Sequence, residues 1–527
     1  MKKMLLGSTT AVLVAAAGVG TPHYLGTQAK QSLEIQHRIL AETFLFEVVS
    51  HEYEQGWLES TEKTVLRFHP QVLSNLGKQL PDNLRAVLSK PITMINHVHH
   101  HPFADGAKPV RAVVETEFVY DDEVQKTLAR FFGEQKPLRI RNVIALDGSG
   151  AMEIQIAPFE YEELSGIKLD WRGLSGQVKY ANAFAHYTTE FKAPLFKAVL
   201  ADKGSLQLEN WQLVSESYSA SNPQIALGSS QTQLARAEFV WKDKVNYNLK
   251  INELINMVSD LQIGAFINPN GTVTPDKIVV ENVQYNTKTS EPTQGFINSE
   301  GQFRFDKLHY GTDTYGPLNI YIAAEHLHAD SLNALKKRWQ AITAQALPEE
   351  KQREAALAAV RQEGLGIFTN NPVFQVREFD LTTPNGRFRA TGSLQLNQLV
   401  QSDLNSLPAF MAKLKAQLNL DVSQKLIENF AVQQTRSLFT VEDPTNQQEQ
   451  QEIADTIRVL TRQTLDTMTQ EGYITRENGM VQTQLNIADN RIQLNGKAFQ
   501  APSDEDLFAG LEDGPASAPH ASAASGR

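Results

Sequence analysis

Along most of this chain apolar and polar residues alternate one for one, the period of a strand that turns one face to a core and the other to water. In 56–70, GWLESTEKTVLRFHP, residues Leu58, Ser60, Glu62, Thr64, Leu66 and Phe68 share one face, while Trp57, Thr61, Lys63, Val65 and Arg67 share the other. Hydropathy alone does not say which side is inward. The same period predicts strands over Val110–Tyr120, Leu138–Leu146, Ala151–Tyr161, Ile167–Tyr180, Gly204–Ser217, Leu234–Leu254, Thr272–Asn286, Gln302–Tyr310 and Leu318–His328. It is cleanest at Val245, Tyr247, Leu249 and Ile251, expected to line a continuous apolar surface. Turn residues punctuate the runs at 147–150 (DGSG), 268–271 (NPNG) and 315–317 (YGP). Strands joined by short turns imply an antiparallel meander. One phrase recurs, a Gly followed by alternating apolar residues, in GSLQLENW (204–211), NGRFRATGSLQL (385–396) and NGMVQTQLNI (478–487). It marks either hairpins of similar make or an elongated repeat sheet.

Elsewhere the period lengthens. Leu33, Gln36, Leu40, Thr43 and Phe44 predict a helix from Thr27 to about Phe46. Asp330 and Ser331 can cap a helix carrying Leu332, Leu335, Trp339 and Ile342, and Pro348 opens a charged one running to Gly364. Further helices are expected at Ser406–Leu418, Ser423–Phe439 and Gln447–Glu471, the last burying Ile453, Ile457, Leu460, Thr464 and Met468. The chain then returns to strand for a closing hairpin, Met480–Ile487 with Asn490–Phe499.

The start of the chain changes the picture from fold to address. Lys2 and Lys3 precede a run from Met4 to Ala29 without Asp, Glu, Lys or Arg. Such a leader reads as an export signal with the lysines left on the cytoplasmic side. A cleaved peptide and a retained anchor both fit; Tyr24 and Leu25 can extend the apolar core toward a spanning length, which favours the anchor. The expected fold class is α+β and β-rich: an N-terminal membrane helix, then a large curved antiparallel sheet, with helices inserted in the C-terminal half. The segments are 1–29 (signal anchor), 30–50 (juxtamembrane helix), 51–328 (antiparallel β-rich region), 329–501 (helices plus closing hairpin) and 502–527 (disordered tail).

Composition narrows the partners. Lys and Arg number 49 against 60 Asp and Glu, a net charge of -11 without a basic block, so nucleic acid is not an expected partner. The absence of Cys removes disulfides, thiolate metal sites and cysteine nucleophiles, and fits an oxidising compartment.

Candidate chemistry is sparse. In INHVHHHPF, His97, His99 and His101 would project from one face of an extended segment beside His100, a weak candidate for zinc or copper or for a pH-sensitive surface. His51-Glu52 lacks the second His of a metalloprotease helix, Gly364-Leu365-Gly366 lacks the third Gly of a nucleotide fold, and no G-x-S-x-G occurs. Ser149 lies in a hairpin turn, and Glu160, Glu162 and Glu163 read as solvated carboxylates. No catalytic residue and no cofactor is expected. A pocket gathering His51, His186 or the 97–101 histidines with carboxylates would be needed to support a hydrolase.

The layout resembles the YdgA-like family of Gram-negative envelope proteins. The resemblance rests on the leader, on Tyr53 and Gly56 through Ser60, on the His-rich run into Pro102 and Phe103, and on the closing GYITRENGMVQTQLNIADNRIQLNGKAF with Gly472, Asn495 and Gly496. The family's Gly before the Pro-Phe pair is His101 here, so a tight Gly-dependent turn is not expected at this point. The resemblance implies a single-pass inner-membrane protein with its bulk in the periplasm and no established activity. A looser likeness to AsmA-like proteins, in architecture only, implies lipid handling. The expected function is therefore non-enzymatic: binding an apolar, lipid or envelope-protein ligand along a curved sheet. The alternative is an interaction scaffold, a homodimer among its forms, using open strand edges or the charged helix 348–364.

Overall fold

A computed structural model describes residues 21–39, 46–69, 88–106, 108–242, 276–345, 347–435 and 447–498. Their strands form one 24-stranded sheet in which the pairings are antiparallel. The ladder starts with β1 (Phe46–Gln55), β2 (Glu59–Phe68), β3 (Ile92–His99), β4 (Ala112–Val119), β5 (Leu138–Ile144) and β6 (Gly150–Ile156). It continues through β9 (Leu174–Tyr180), β10 (His186–Leu200), β11 (Gly204–Ser219), β12 (Ala226–Trp241), β13 (Lys277–Thr293) and β14 (Phe296–Phe305). The last stretch is β17 (Leu318–His328), β18 (Val373–Thr383), β19 (Gly386–Leu396), β20 (Leu414–Ser423), β22 (Met480–Ala488), β23 (Arg491–Leu494) and β24 (Lys497–Ala498). Short strands fill gaps beside it: β7 (Phe159–Glu162) and β8 (Ile167–Trp171) on β10, β15 (Lys307–Tyr310) and β16 (Asp313–Tyr315) on β13, and β21 (Thr475–Glu477) on β22.

The sheet has no single core. Apolar residues of one face are buried in separate clusters wherever a helix or a side hairpin lies against it. Helix α1 (21–39) sets Ala29 and Leu33 on Val98, Ala112, Val114 and Ile144 of β3 to β5. Helix α3 (Ala329–Ala344) and the short α5 (Leu365–Thr369), with α4 (Glu349–Gln362) between them in sequence, bring Leu332, Leu335 and Ile367 onto Leu227, Ile297 and Leu327. The α7 (Gln424–Thr435) and α8 (Gln447–Gln470) hairpin covers Val481 with Ile427, Leu465 and Met468. The opposite face is polar and laced with ion pairs such as Arg236–Glu238 at 2.6 Å and Lys277–Glu238 at 2.9 Å.

Several expectations are corrected here. The helix expected to Phe46 is described as helix through 39, 40–45 lie outside the described residues, and Phe46–Gln55, which starts inside the expected juxtamembrane segment 30–50, is a strand with no outer partner among the described residues. Tyr24 and Leu25, assigned to the span, belong to α1, where Leu25 is buried. No helix among the described residues is long and apolar enough to cross a membrane; residues 1–20, most of the expected leader, lie outside them, as does the expected tail 502–527. The helix over Ser406–Leu418 stops early: α6 spans Leu407–Lys413, and Leu414, Ala416, Leu418, Leu420 and Val422 then alternate as β20. A helix unforeseen within 51–328, α2 (Asp122–Phe132), begins where the Asp121 carboxylate accepts from Glu123 N–H at 3.0 Å. Helix α3 starts after His328 without a side-chain cap, and Asp330 instead accepts from Asn222 at 2.9 Å. In α8 the buried positions are Ile457 and Leu465, whereas Leu460 is exposed. The run Val245 to Ile251 lies outside the described residues.

Candidate functional site

Between the two helical caps the apolar face is open. There β13, β14, β17, β18, β19, β20 and β22 together line a groove of about 620 Å³, to which no helix contributes. Register builds its floor. Thr287, Gly301, Ile322, Val376, Gly392, Leu418 and Leu485 stand opposite one another in successive strands, so their side chains share a face. Ser299, Ala324, Phe374, Leu394 and Ala416 form the next row. Most of the lining is apolar or small, with Glu300, Gln375 and Gln417 also in it, and Tyr285 and Ile322 are each 51% exposed.

A bulge bends and twists the strand that carries it. Register shifts occur at Ile297/Ser299, at Tyr321/Ile322 and at Val376/Phe379, all beside the groove. The last shift turns Arg377 to the far face, where it stacks on Tyr321 at 5.0 Å and pairs with Glu300 at 2.5 Å and Glu325 at 2.8 Å. The Tyr321 hydroxyl donates to Glu300, and that bond, with Arg377 nearby, holds the Glu300 carboxyl below the ordinary carboxylate range. Small residues widen the floor. A Cβ built on Gly301 would meet nothing within 4 Å.

Three of the four clustered histidines stay at the surface or in a turn. His97 and His99 share the outer face of β3, paired with Glu117 at 3.2 Å and Glu59 at 3.1 Å, and His101 lies beyond the strand end. The structure does not bring the three together as a ligand set. His186 pairs with Glu216 at 2.8 Å on the exposed face. His100, by contrast, is fully buried: its Nε2 lies 2.8 Å from Ser60 Oγ and its Nδ1 3.1 Å from the Pro22 carbonyl oxygen. A carbonyl only accepts, so Nδ1 carries a proton and donates to Pro22. Ser60 Oγ in turn accepts from Gly56 N–H at 3.3 Å. The pair has a nucleophile–base geometry, yet at 3% and 0% exposure it is sealed from substrate and serves to fasten the start of α1 to the sheet.

The other motif residues are also architectural. Tyr53 packs on the α1 cluster under the Lys30 ammonium at 5.4 Å, and burial pushes its hydroxyl above the ordinary value. His101 to Ala104 turn through an Ala104 N–H to His101 carbonyl bond of 3.0 Å, so a tight turn forms here without a glycine, and Phe103 projects into solvent while the Pro102 carbonyl accepts from Val110. Gly472, at φ +74°, closes α8, and Asn495 and Gly496, at φ 48° and 78°, make the last hairpin turn. Sequence reasoning did not foresee the groove-lining set, although Gly392, Leu394 and Leu485 lie inside the recurring phrase at 385–396 and 478–487.

A family model described as a bacterial protein of unknown function (DUF945) matches residues 1–502. No curated protein and no solved structure matches the chain. Because that match runs through the sheet and its helical caps alike, the chain belongs to this bacterial family.

Proposed function

We propose that the protein is a non-enzymatic envelope factor that holds an apolar chain of the lipid type in the open groove of its sheet. It is tethered by its leader at the inner membrane, with its bulk in the periplasm. The observation that carries the reading is the groove itself: about 620 Å³, mostly apolar, exposed and lined by strands alone. That volume falls in the range of roughly 300–1,000 Å³ of ligand pockets, and exposed apolar patches of this kind mark binding surfaces. The lining strands are paired on both sides, so a polypeptide would find no backbone partners there, whereas an acyl chain needs none. The export leader and the resemblance to YdgA-like and AsmA-like proteins support the address and the ligand class. The scaffold reading is favoured by one feature, the long outer edge of β1, which has no partner among the described residues.

Mass spectrometry of organic extracts from the purified full chain tests the proposal. Lipid is expected in the wild type and reduced at least about tenfold in Gly301→Phe, a large side chain placed on the groove floor where an added Cβ meets nothing within 4 Å. Equal recovery from both proteins, or none from the wild type, sinks it.

A further inference from the structure

A second cavity, of about 290 Å³, lies beneath α1 near the other end of the sheet, and its walls are partly polar. Glu62 reaches it from β2 with its side chain 3% exposed, a buried carboxylate that needs compensating charge or strong donors. One oxygen, Oε2, accepts from Asn96 Nδ2 at 2.6 Å, and Asn96 Oδ1 accepts from Thr116 at 2.7 Å. The other, Oε1, faces His51 Nε2 at 2.9 Å. His37, two residues before the last described residue of α1, stacks on His51 with ring centroids 3.9 Å apart, and its Nδ1 is buried with no hydrogen-bond partner among the described residues.

We propose that His37, His51 and Glu62 form a binding site for a divalent transition-metal ion of the Zn²⁺ class, one that clamps α1 to the β1–β2 hairpin. One ligand atom from each residue lies within 4.8 Å of the others. A tetrahedral site needs about 3.3 Å between ligand atoms, so closure requires side-chain adjustment and no change of fold. Two imidazoles and one carboxylate are a recognised three-ligand set that leaves a coordination position open, here toward the cavity, where water completes it. The Thr116–Asn96–Glu62 chain is the outer support that a metal-bound carboxylate requires, because it fixes one oxygen and leaves the other facing His51. A structural ion pair between His51 and Glu62 would account for those two residues but not for the orphaned nitrogen of His37.

Titration of untagged, chelator-stripped full-length protein with Co²⁺ decides the matter, read by visible absorption and by Zn²⁺ competition. The expected result is one saturable equivalent displaced by Zn²⁺, weakened at least about tenfold by His51→Ala and by about 10–100-fold by Asn96→Ala, and unchanged in the His97→Ala/His99→Ala protein. Circular dichroism checks each fold, and His37→Gln replaces any variant that fails it. Absence of saturable Co²⁺ in the wild type overturns the site. So does binding that survives loss of His51 or of His37, or that disappears only with His97 and His99.

Discussion

Glu428 shows how a single charge is kept at depth in this protein. It is 5% exposed, yet its carboxylate accepts from Arg462 Nε at 2.8 Å, from Arg462 Nη2 at 2.9 Å and from Gln424 at 2.8 Å. The Arg462 bonds outweigh burial and hold Glu428 below the ordinary carboxylate range. A lowered folded value means that its stabilisation is complete above the unfolded value and is lost as pH falls through the folded one. Arg462→Ala should therefore lower the stability of the α7–α8 hairpin at neutral pH, and the difference from wild type should shrink in acid; urea melts at several pH values check both. Side-chain roles were only partly readable from sequence. Strict alternation puts His97 and His99 on one face, as found, but the buried member is His100. The inward face of β2 proves to be the one bearing Ser60, Glu62 and Thr64, while Trp57, just before the strand, is half exposed. Hydropathy cannot choose that face, because what fills it is a buried polar layer in which Ser60 and Glu62 are hydrogen-bonded.

Elements were readable where their ends carry turn chemistry. Leu318–His328 is found as expected, and Asn495-Gly496 adopts the paired positive φ values of a two-residue hairpin turn. Asn495 Oδ1 also accepts from Gln484 N–H at 2.8 Å and its Nδ2 donates to the Tyr473 carbonyl at 3.0 Å, tying the last hairpin to the chain after α8. Gly496→Val should cost about 1–2 kcal/mol through left-handed strain, seen as a lower urea midpoint, with faster amide exchange in β23 and β24. Asn495→Gly should keep the turn and lose only the side-chain bonds, so it should lie between Gly496→Val and wild type. Misreadings fell where period and propensity conflict. LKAQLNLDVS favours helix by composition, but pairing with both β19 and β22 makes it a central strand. The β1 hairpin was missed for a related reason, and with it the diagonal neighbourhood of His51 and Glu62, visible only once Tyr53 is known to face Glu62 across the register.

At the scale of the whole molecule, alternation and turns announced a β-rich meander with helices in its second half, and that architecture is present. The groove was not announced. Its walls come from seven strands spread over 285–485, and the register shifts beside it are irregularities that no local period records. The order of the ladder has a mechanical consequence. Apart from the steps from β6 to β9, β14 to β17 and β20 to β22, each main-ladder strand lies against its immediate predecessor and successor, so the molecule behaves as a nearly one-dimensional zipper. Pulled from its carboxyl end in an optical trap, it should come apart as a staircase of small force drops, beginning with β24 and β23, and not as one all-or-none rupture. A chain so arranged can assemble in the order in which it is delivered, each arriving hairpin finding its template already in place.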